Sequence, residues 1–395
     1  MDIRDCIVSA PGKAILHGEH AVVHGKVALA ASLNLRTYLK LKATNIGQVC
    51  LNLPNIAAFL CWDVSELKDL LPRGKQEEVT QLDPELVKRL CDFLGVANGN
   101  LDASNMATLA FLYIYISLFG SGELPSLTIS VWSELPTGAG LGSSAAYSVC
   151  FAAALLYASG AIPAPIEELE HTASWCQEDL ELINSWAFLG EMIIHGNPSG
   201  VDNAVATWGG MLRFLDGRIK LLSRVPLLRI LLTNTKVPRS TKVLVARVKD
   251  KINMYPSILT SVLDSVDAIS STCEKVLLEM TNEPITGEHY NILEELIDMN
   301  QHHLNVMGVG HPALDTVCRV TLARGLHSKL TGAGGGGCAI TLLRSETDSA
   351  VVQTTIQELK DCDFDCWETS IGGPGVQVHA PLSVKEDILG ILNRY

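Results

Sequence analysis

The chain has 395 residues, a net charge of −13, and a composition of 47% hydrophobic and 18% charged residues. Such a composition supports a large buried core and excludes global intrinsic disorder, and the length predicts about two or three domains. No long basic run occurs, so we expect no nucleic-acid binding, and an anionic ligand would need locally placed positive charges because the overall field repels it.

Hydrophobic periodicity predicts strands and helices that are mixed along the whole chain. In the first half we expect strands at 6–10, 33–42, 48–53 and 127–131, a charged irregular segment at 62–102, and helices at 107–118, 145–158 and 167–194. In the second half we expect strands at 227–232, 338–343, 363–370 and 376–379, and helices at 241–252, 257–280, 289–307, 314–322 and 348–359. Because strands and helices do not alternate strictly, we predict an α+β fold, with domains at 1–225 and 226–395.

The cysteines and the charge-free stretches bear on the cellular compartment. The chain has 11 cysteines, an odd number, and starts without an apolar signal segment, which together predict reduced thiols in a reducing compartment. Cys362 and Cys366 form the only close pair in the sequence, so we expect no four-ligand zinc site. The charge-free stretches 106–119 and 135–166 are interpreted as interior elements, and no membrane span is expected.

A glycine-rich segment, 138–144, lies between a predicted strand and a predicted helix. Glycines allow close approach of a phosphate, and free N–H groups at a helix start bind it, so phosphate binding is the favoured interpretation. The alternative is a glycine turn that packs the strand against the helix. The segment lacks the lysine of a Walker loop and the sixth-position glycine or alanine of a dinucleotide site, and protein-kinase signatures are absent from the chain.

Polar residues cluster near the start of the chain. Lys13 follows a turn after the first predicted strand, and His17, Glu19, His20 and His24 come shortly after it. A solvated hairpin would explain them equally well, and for His24 it is the favoured interpretation. A metal site at His17 and His20 would need a third ligand, so we do not expect one.

Two carboxylates further along the chain are candidates for chemistry. Glu191 lies near the end of a predicted helix, and Asp202 lies in a run of turn-forming residues. The simple interpretation is a loop that ends at an Asp cap. The functional one is a pair of carboxylates, one for a metal ion and one for a proton, as phosphoryl transfer requires.

Three separated motifs together resemble the three signatures of the GHMP small-molecule kinases: Ala10-Pro11-Gly12-Lys13, the loop at 136–145 and the glycine run at 329–337. The resemblance covers nearly the whole chain. Within that superfamily, 15–25 and 196–203 are similar to the animal form of the branch that phosphorylates mevalonate, whereas galactokinases and homoserine kinases start differently. The resemblance implies two α+β domains, an N-terminal ATP-binding domain like ribosomal protein S5 domain 2 and a ferredoxin-like C-terminal GHMP kinase domain.

The resemblance also implies an activity and its partners. The expected reaction is ATP- and Mg²⁺-dependent phosphorylation of the 5-hydroxyl of mevalonate, early in isoprenoid and sterol biosynthesis. Expected properties are a homodimer, inhibition by prenyl diphosphates that compete with ATP, and a cytosolic location with some association with peroxisomes. The alternatives are another GHMP kinase, acting on phosphomevalonate or a sugar, and a GHMP-fold sensor or RNA regulator without catalysis.

Residue roles implied by the resemblance follow from the matching positions. The catalytic pair is Asp202, as acceptor of the hydroxyl proton, and Lys13, which stabilises charge on the phosphoryl oxygens. The metal ligands are Ser144 and Glu191. Nucleotide contacts are Lys13, Asn55, Ser133, Gly138, Ala139, Gly140, Leu141, Gly142, Ser143 and Ser144. Substrate contacts are Glu19, His20 and Thr241. The glycine run at 332–337 is expected to line the same cleft.

Overall fold

The computed structural model describes residues 3–71, 81–96, 102–120, 122–169, 172–222 and 225–394. Its strands are β1 (Cys6–His17), β2 (Ala28–Ala43), β3 (Gln48–Leu53), β4 (Ala58–Asp63), β5 (Leu127–Ser133), β6 (Ile166–Leu169), β7 (Thr172–Ser174), β8 (Met211–Leu215), β9 (Arg218–Leu222), β10 (Leu228–Asn234), β11 (His327–Leu330), β12 (Cys338–Leu343), β13 (Asp365–Ile371) and β14 (Gln377–His379). Its helices are α1 (Val64–Lys68), α2 (Pro84–Phe93), α3 (Ala103–Phe119), α4 (Ser143–Ser159), α5 (Gln177–His195), α6 (Val201–Trp208), α7 (Thr241–Met254), α8 (Pro256–Asn282), α9 (Gly287–Met307), α10 (Pro312–Leu322), α11 (Ser349–Asp361) and α12 (Glu386–Leu392).

Strand β2 joins the two halves of the chain into one sheet. One edge of β2 pairs with β1 along most of its length, and the other edge pairs in turn with β8, with β13 through Leu33 and Ile371, and with β5. Beyond β13 the order continues through β10 and β12 to β11. A 16-residue strand can hold this many partners because its ends extend past each shorter neighbour. The predicted α+β class is confirmed, since strands and helices are mixed without regular alternation.

Two large groups of apolar side chains form the core. One surrounds the buried helices α3 and α4 and extends along β1, β2 and β5, and the other lies among α7 to α11 and the strands β10 to β12. The end of the chain returns to its start, because β14 pairs with β1, and Ile388 and Leu392 of α12 pack near Ile7. The boundary at 225/226 stays a prediction, and residues 223–224 beside it lie outside the described part.

Three predicted elements differ from those observed. Strand β1 does not stop at Ala10 but continues to His17 through an irregularity between Pro11 and Gly12. The helix predicted from 167 begins only at Gln177, because β7 pairs with β14, a partner some 200 residues away that periodicity does not reveal; residues 170–171 lie outside the described part. The turn-rich run expected as a loop becomes helix α6 from Val201 onward.

The hairpin β8–β9 and helix α12 have no counterpart among the predicted elements, and the predicted irregular segment contains β4, α1 and α2. Parts of that segment, 72–80 and 97–101, lie outside the described residues.

Among the described residues, no helix combines the length and the apolar character that a bilayer crossing requires.

The expectation that every cysteine is reduced is wrong for one pair. Cys50 of β3 and Cys61 of β4 face each other in the antiparallel ladder and form a disulfide. No pattern in the sequence marks this pair, because the two cysteines lie eleven positions apart and only the hairpin brings their Cα atoms to 4.1 Å. The other nine cysteines, all described, are free.

A thiol count tests this pair directly. Unfolded without reductant, the protein should titrate nine thiols, and after reduction it should titrate 11. A Cys61→Ser variant should give ten thiols under both conditions, because its Cys50 has lost its partner. Eleven thiols in the freshly purified, unreduced wild-type protein would contradict the disulfide.

Candidate active site

A cleft of about 690 Å³ lies where the three glycine-containing motifs meet. Residues from β1, from the loop before α4 and from the glycine run after β11 all line it. Further lining comes from the turn at 20–23, from β2 and β5, from the β3–β4 hairpin, from helices α3 to α7, and from the segment before α7. Segments that are far apart in the chain therefore converge on one cavity, as the three-motif resemblance implies.

The glycine loop ends at the start of α4. Gly138, Gly140 and Gly142 all adopt positive φ angles, between 71° and 73°. This conformation suits glycine because it has no Cβ. Gly142 precedes the helix, and no side chain caps the first turn, so backbone N–H groups and the helix dipole remain available to an anion. The predicted residues Gly138, Gly140, Leu141, Gly142, Ser143 and Ser144 line the cleft, whereas Ala139 is buried behind it.

Lys13 and Asp202 form an ion pair in the cleft, with Lys13 Nζ 3.3 Å from Asp202 Oδ1. Strand β1 supplies the lysine, whose backbone N–H donates to Leu141 O at 2.8 Å and so fixes it against the glycine loop. Helix α6 supplies the aspartate in its first turn. A Cβ added at Gly142 would lie 2.9 Å from Lys13 Cγ, so only glycine at this position lets the lysine pass.

Glu191 of α5 is a buried carboxyl beside this pair. Burial, together with the negative charge of Asp202, raises its pKa from the ordinary 4.5 to about 7, while the hydroxyls of Ser144 and Ser148 act in the opposite direction. Its Oε1 is buried and has no hydrogen-bond partner among the described residues. The carboxyl therefore has an oxygen free to bind a cation.

Ser144 lies in the first turn of helix α4, next to this carboxyl. Its hydroxyl forms a hydrogen bond of 2.9 Å with His195 Nε2, and the same imidazole nitrogen lies 3.9 Å from Glu191 Oε2. The sequence interpretation missed His195, although its position four residues after Glu191 puts both on one face of α5. The hydroxyl and the carboxyl together offer two oxygen ligands.

Arg239 is the second residue that the sequence interpretation missed. Its Nη2 donates to Ala139 O at 2.6 Å and its Nη1 donates to Gly336 O at 3.1 Å, so one guanidinium joins the two glycine motifs. It also lines the cleft. Burial lowers its pKa. No local pattern marks this arginine, because its role depends on two loops about a hundred residues away in either direction.

The predicted substrate residues are placed differently from one another. His20 and Thr241 line the cleft, and His20 Nε2 lies 2.7 Å from Ala333 O. Glu19 does not line it: the side chain is buried and forms an ion pair with Lys329. The expected contact between Glu19 and substrate stays a prediction, and in this structure the Glu19 carboxylate is paired with Lys329.

The predicted nucleotide contacts on the hairpin side lie together. Asn55 donates to Ser133 O at 2.9 Å and accepts from Ser133 N at 2.8 Å, and both residues line the cleft. At the opposite side, Gly332 and Ala333 of the glycine run line it as expected. Gly336 of the same run packs against Val237, so a side chain there would displace the segment that carries Arg239.

The comparisons with known proteins agree on one family. A family model described as GHMP kinases N terminal domain matches residues 105–210, and one described as GHMP kinases C terminal matches 286–361. The mevalonate kinase of Bos taurus is 58% identical, over 97% of each chain, and that of Homo sapiens is 57% identical, over 96% of each chain.

Solved structures share the fold. The L. major mevalonate kinase in complex with R-mevalonate is 21% identical with a TM-score of 0.66, covering 94% of this chain and 97% of that one. The Lactococcus lactis galactokinase complexed with galactose is 16% identical with a TM-score of 0.58, covering 94% and 95%. Because the same fold occurs in kinases named for different substrates, the fold alone does not select the acceptor.

The raised pKa of Glu191, about 7, predicts a pH-dependent stability in metal-free protein. Between about pH 4.5 and 7 the folded state retains a proton that the unfolded chain has released, so the stabilisation is present at low pH and is lost as the pH rises through 7. Glu191→Gln should remove roughly 2–3 kcal/mol of the fall in unfolding free energy between pH 5 and 8, measured with urea and a chelator.

The matched control is Glu181→Gln, an exposed position on the same helix, which should keep the wild-type pH dependence. If Glu191→Gln and wild type lose the same stability over this range, the buried carboxyl does not carry the effect.

Proposed function

The chain belongs to the mevalonate kinase family of the GHMP kinases, and on that premise we propose how its cleft phosphorylates mevalonate. The protein is a kinase of isoprenoid biosynthesis. In the proposed reaction the γ-phosphoryl group of ATP passes to the 5-hydroxyl of (R)-mevalonate and yields 5-phosphomevalonate. The observation that carries the mechanism is the ion pair of Lys13 and Asp202, 3.3 Å apart beside the glycine loop.

The glycine loop holds the triphosphate of ATP in this proposal. Its glycines give the phosphates access to backbone N–H groups, and the uncapped start of α4 adds the positive end of a helix dipole. Asn55 and Ser133 lie on the hairpin side of the same cleft, where the rest of the nucleotide binds. These local dipoles matter because the protein as a whole, at −13, repels an anion.

Asp202 and Lys13 act on the reacting groups. Asp202, partly exposed in the cleft, accepts the proton of the mevalonate hydroxyl as that oxygen attacks the γ-phosphorus. Lys13 stabilises the negative charge of the transferring phosphoryl oxygens and orients the aspartate. These two side chains can meet most of the chemical demands of the reaction, since phosphoryl transfer depends mostly on positioning and charge neutralisation.

Ser144 and Glu191 fit a Mg²⁺ ion. Both provide oxygen ligands, which this cation prefers, and Glu191 Oε1 is buried without another partner among the described residues. No group of three or more His, Cys, Asp and Glu side chains is close enough to bind a metal in the described part of the chain, which agrees with an ion held mainly by phosphate and water. Bound Mg²⁺ would neutralise charge on the β- and γ-phosphates.

Arg239, His20 and Thr241 define the acceptor side of the cleft. Mevalonate carries a carboxylate, and Arg239 is the buried cation that reaches this side without a carboxylate among its described hydrogen-bond partners. A guanidinium has five N–H donors, so donors remain after its two bonds to loop carbonyls. We therefore assign recognition of the substrate carboxylate to Arg239, with His20 and Thr241 beside it.

We further propose an oligomeric state, a location and an inhibitor for this protein, as expected from its family. The protein is a homodimer of the cytosol with some association with peroxisomes, and in animals it supplies sterol synthesis, including that of cholesterol. Prenyl diphosphates inhibit it by competing with ATP. This inhibition is supported by the chemistry of the cleft, in which apolar side chains such as Met106 and Val131 adjoin the phosphate-binding loop, as an apolar chain with a diphosphate head requires.

A panel of acceptors tests the assigned substrate. With ATP and Mg²⁺, turnover should be fast with (R)-mevalonate and at least about a hundredfold slower with galactose or 5-phosphomevalonate, because neither presents a carboxylate and a primary hydroxyl at the same spacing. Turnover with either of these compounds and none with mevalonate would favour another GHMP kinase activity. Absence of turnover with all three would favour a non-catalytic regulator.

Replacing Asp202 tests the proton acceptor. Asp202→Asn should lower kcat by about 10²–10⁴ and leave nucleotide affinity within about threefold of wild type, because the amide keeps the shape but not the basicity. Turnover is measured by coupled assay and affinity by nucleotide fluorescence. Asp250→Asn, an exposed position on α7, serves as the control and should behave as wild type. An unchanged kcat in Asp202→Asn would remove this residue from the chemical step.

A further inference from the structure

A network of four fully buried polar side chains lies beneath the acceptor side of the cleft. His17 and Glu19 come from the end of β1 and the turn after it, Asn300 comes from α9, and Lys329 comes from β11. Each is at most 1% exposed. The mechanism uses none of them, although three of the four, His17, Glu19 and Lys329, are ionisable groups removed from water.

The Glu19 carboxylate is the centre of this network. One of its oxygens is paired with Lys329 Nζ, and the other accepts a hydrogen bond of 3.1 Å from Asn300 Nδ2. Lys329 Nζ also donates to Leu330 O at 2.7 Å. Burial raises the pKa of Glu19 and lowers that of Lys329, and each partner opposes the effect on the other.

Stability does not explain such a pair. Two ions without water lose hydration that their mutual attraction barely restores, and apolar replacements of similar volume are often as stable or more so. A buried ion pair does fix geometry, however, because neither partner has another place to satisfy its charge. The function of the pair therefore depends on which segments it holds in a fixed relative position.

The pair connects two segments that line the cleft. Glu19 lies in a turn between Gly18 and His20, which have positive φ angles of 94° and 58°. The left-handed conformation of His20 costs about 1–3 kcal/mol and persists only where surrounding contacts enforce it. That strained residue points its ring into the cleft and forms a hydrogen bond of 2.7 Å with Ala333 O.

Lys329 lies three residues before the glycine run at 332–337, which contains Ala333. Two residues after it, the Thr331 hydroxyl accepts from Ile15 N and donates to Ile15 O, both at 2.9 Å. The ion pair, the Thr331 bonds and the His20 bond therefore connect residues 15–20 with residues 329–333. We call this region of contact the seam. Only the ion pair is both charged and fully buried.

We propose that Lys329 is a positioning residue, which through Glu19 sets the spacing between the turn that carries His20 and the glycine run, and thereby the fit of the mevalonate side of the cleft. This inference rests on the proposed function. The nucleotide side is formed by the hairpin and the loop before α4, and Arg239 links that loop to the glycine run through bonds to Ala139 O and Gly336 O that involve neither Glu19 nor Lys329. Loss of the pair should therefore affect KM for mevalonate much more than KM for ATP.

Two variants separate this role from a stabilising one. Lys329→Met leaves Glu19 as an unpaired buried charge and should destabilise the protein while raising KM for mevalonate. Lys329→Met combined with Glu19→Gln removes both charges and should recover most of the stability. The neutral pair no longer holds the two segments in place. The KM of this double variant for mevalonate should therefore stay about tenfold or more above the wild-type value, while its KM for ATP should lie within about twofold of wild type.

The matched control removes a different ion pair near the same turn. Lys26 Nζ lies 2.6 Å from Asp264 Oδ1 and also joins the first half of the chain to the second, but both side chains are partly exposed and neither lines the cleft. Lys26→Met combined with Asp264→Asn should leave both KM values unchanged. Hydrogen exchange at residues 18–22 and 331–335 gives a readout without activity, and it should accelerate in the Lys329 variants only.

The outcomes separate the two levels of inference. A double variant with wild-type KM for mevalonate and wild-type exchange overturns the positioning role, and so does an equal rise in both KM values. If wild-type protein does not phosphorylate mevalonate, the proposed function fails instead, while exchange at the seam still tests whether the ion pair holds the two segments together.

Discussion

The contact between Lys13 and Asp202, 3.3 Å apart, is the interaction on which the proposed chemistry depends. Neither residue would be placed by its own element alone. Strand β1 continues past an irregularity at Pro11 to carry the lysine into the cleft, and helix α6 begins one residue before the aspartate. Gly142 lets the lysine pass the phosphate loop, since a side chain there would meet Lys13 Cγ at 2.9 Å.

Positive electrostatic potential in this acidic protein is confined to small regions. With a net charge of −13, the molecule can attract an anionic ligand only where dipoles and single cations are concentrated. The start of α4, Lys13 and Arg239 provide this concentration within one cavity of about 690 Å³. Arg239 has an additional role, because its two bonds hold the phosphate loop and the second glycine run together.

Buried ionisable groups are used in two different ways. Glu191 has an oxygen without a partner among the described residues and a pKa raised to about 7, two features that suit the metal-binding role proposed for it. Both carboxylate oxygens of Glu19 have partners, Lys329 and Asn300, which suits the positioning role proposed for this residue. The two carboxyls are similarly hidden from water, and only the partners around them distinguish a functional group from a positioning one.

The site residues were predicted through the resemblance of three motifs to the GHMP kinases, and these motifs can be read because they are local: glycines that need positive φ, a lysine after a Pro-Gly turn, and a carboxylate in a turn-rich run. The α+β class and most helices followed from periodicity for the same reason. The tertiary structure alone decided the disulfide of Cys50 and Cys61, the strand β7, the place of Arg239 and the burial of Glu19. Each of these depends on a partner that is distant in the chain or across a hairpin, and residue type and spacing carry no information about which distant segment supplies it.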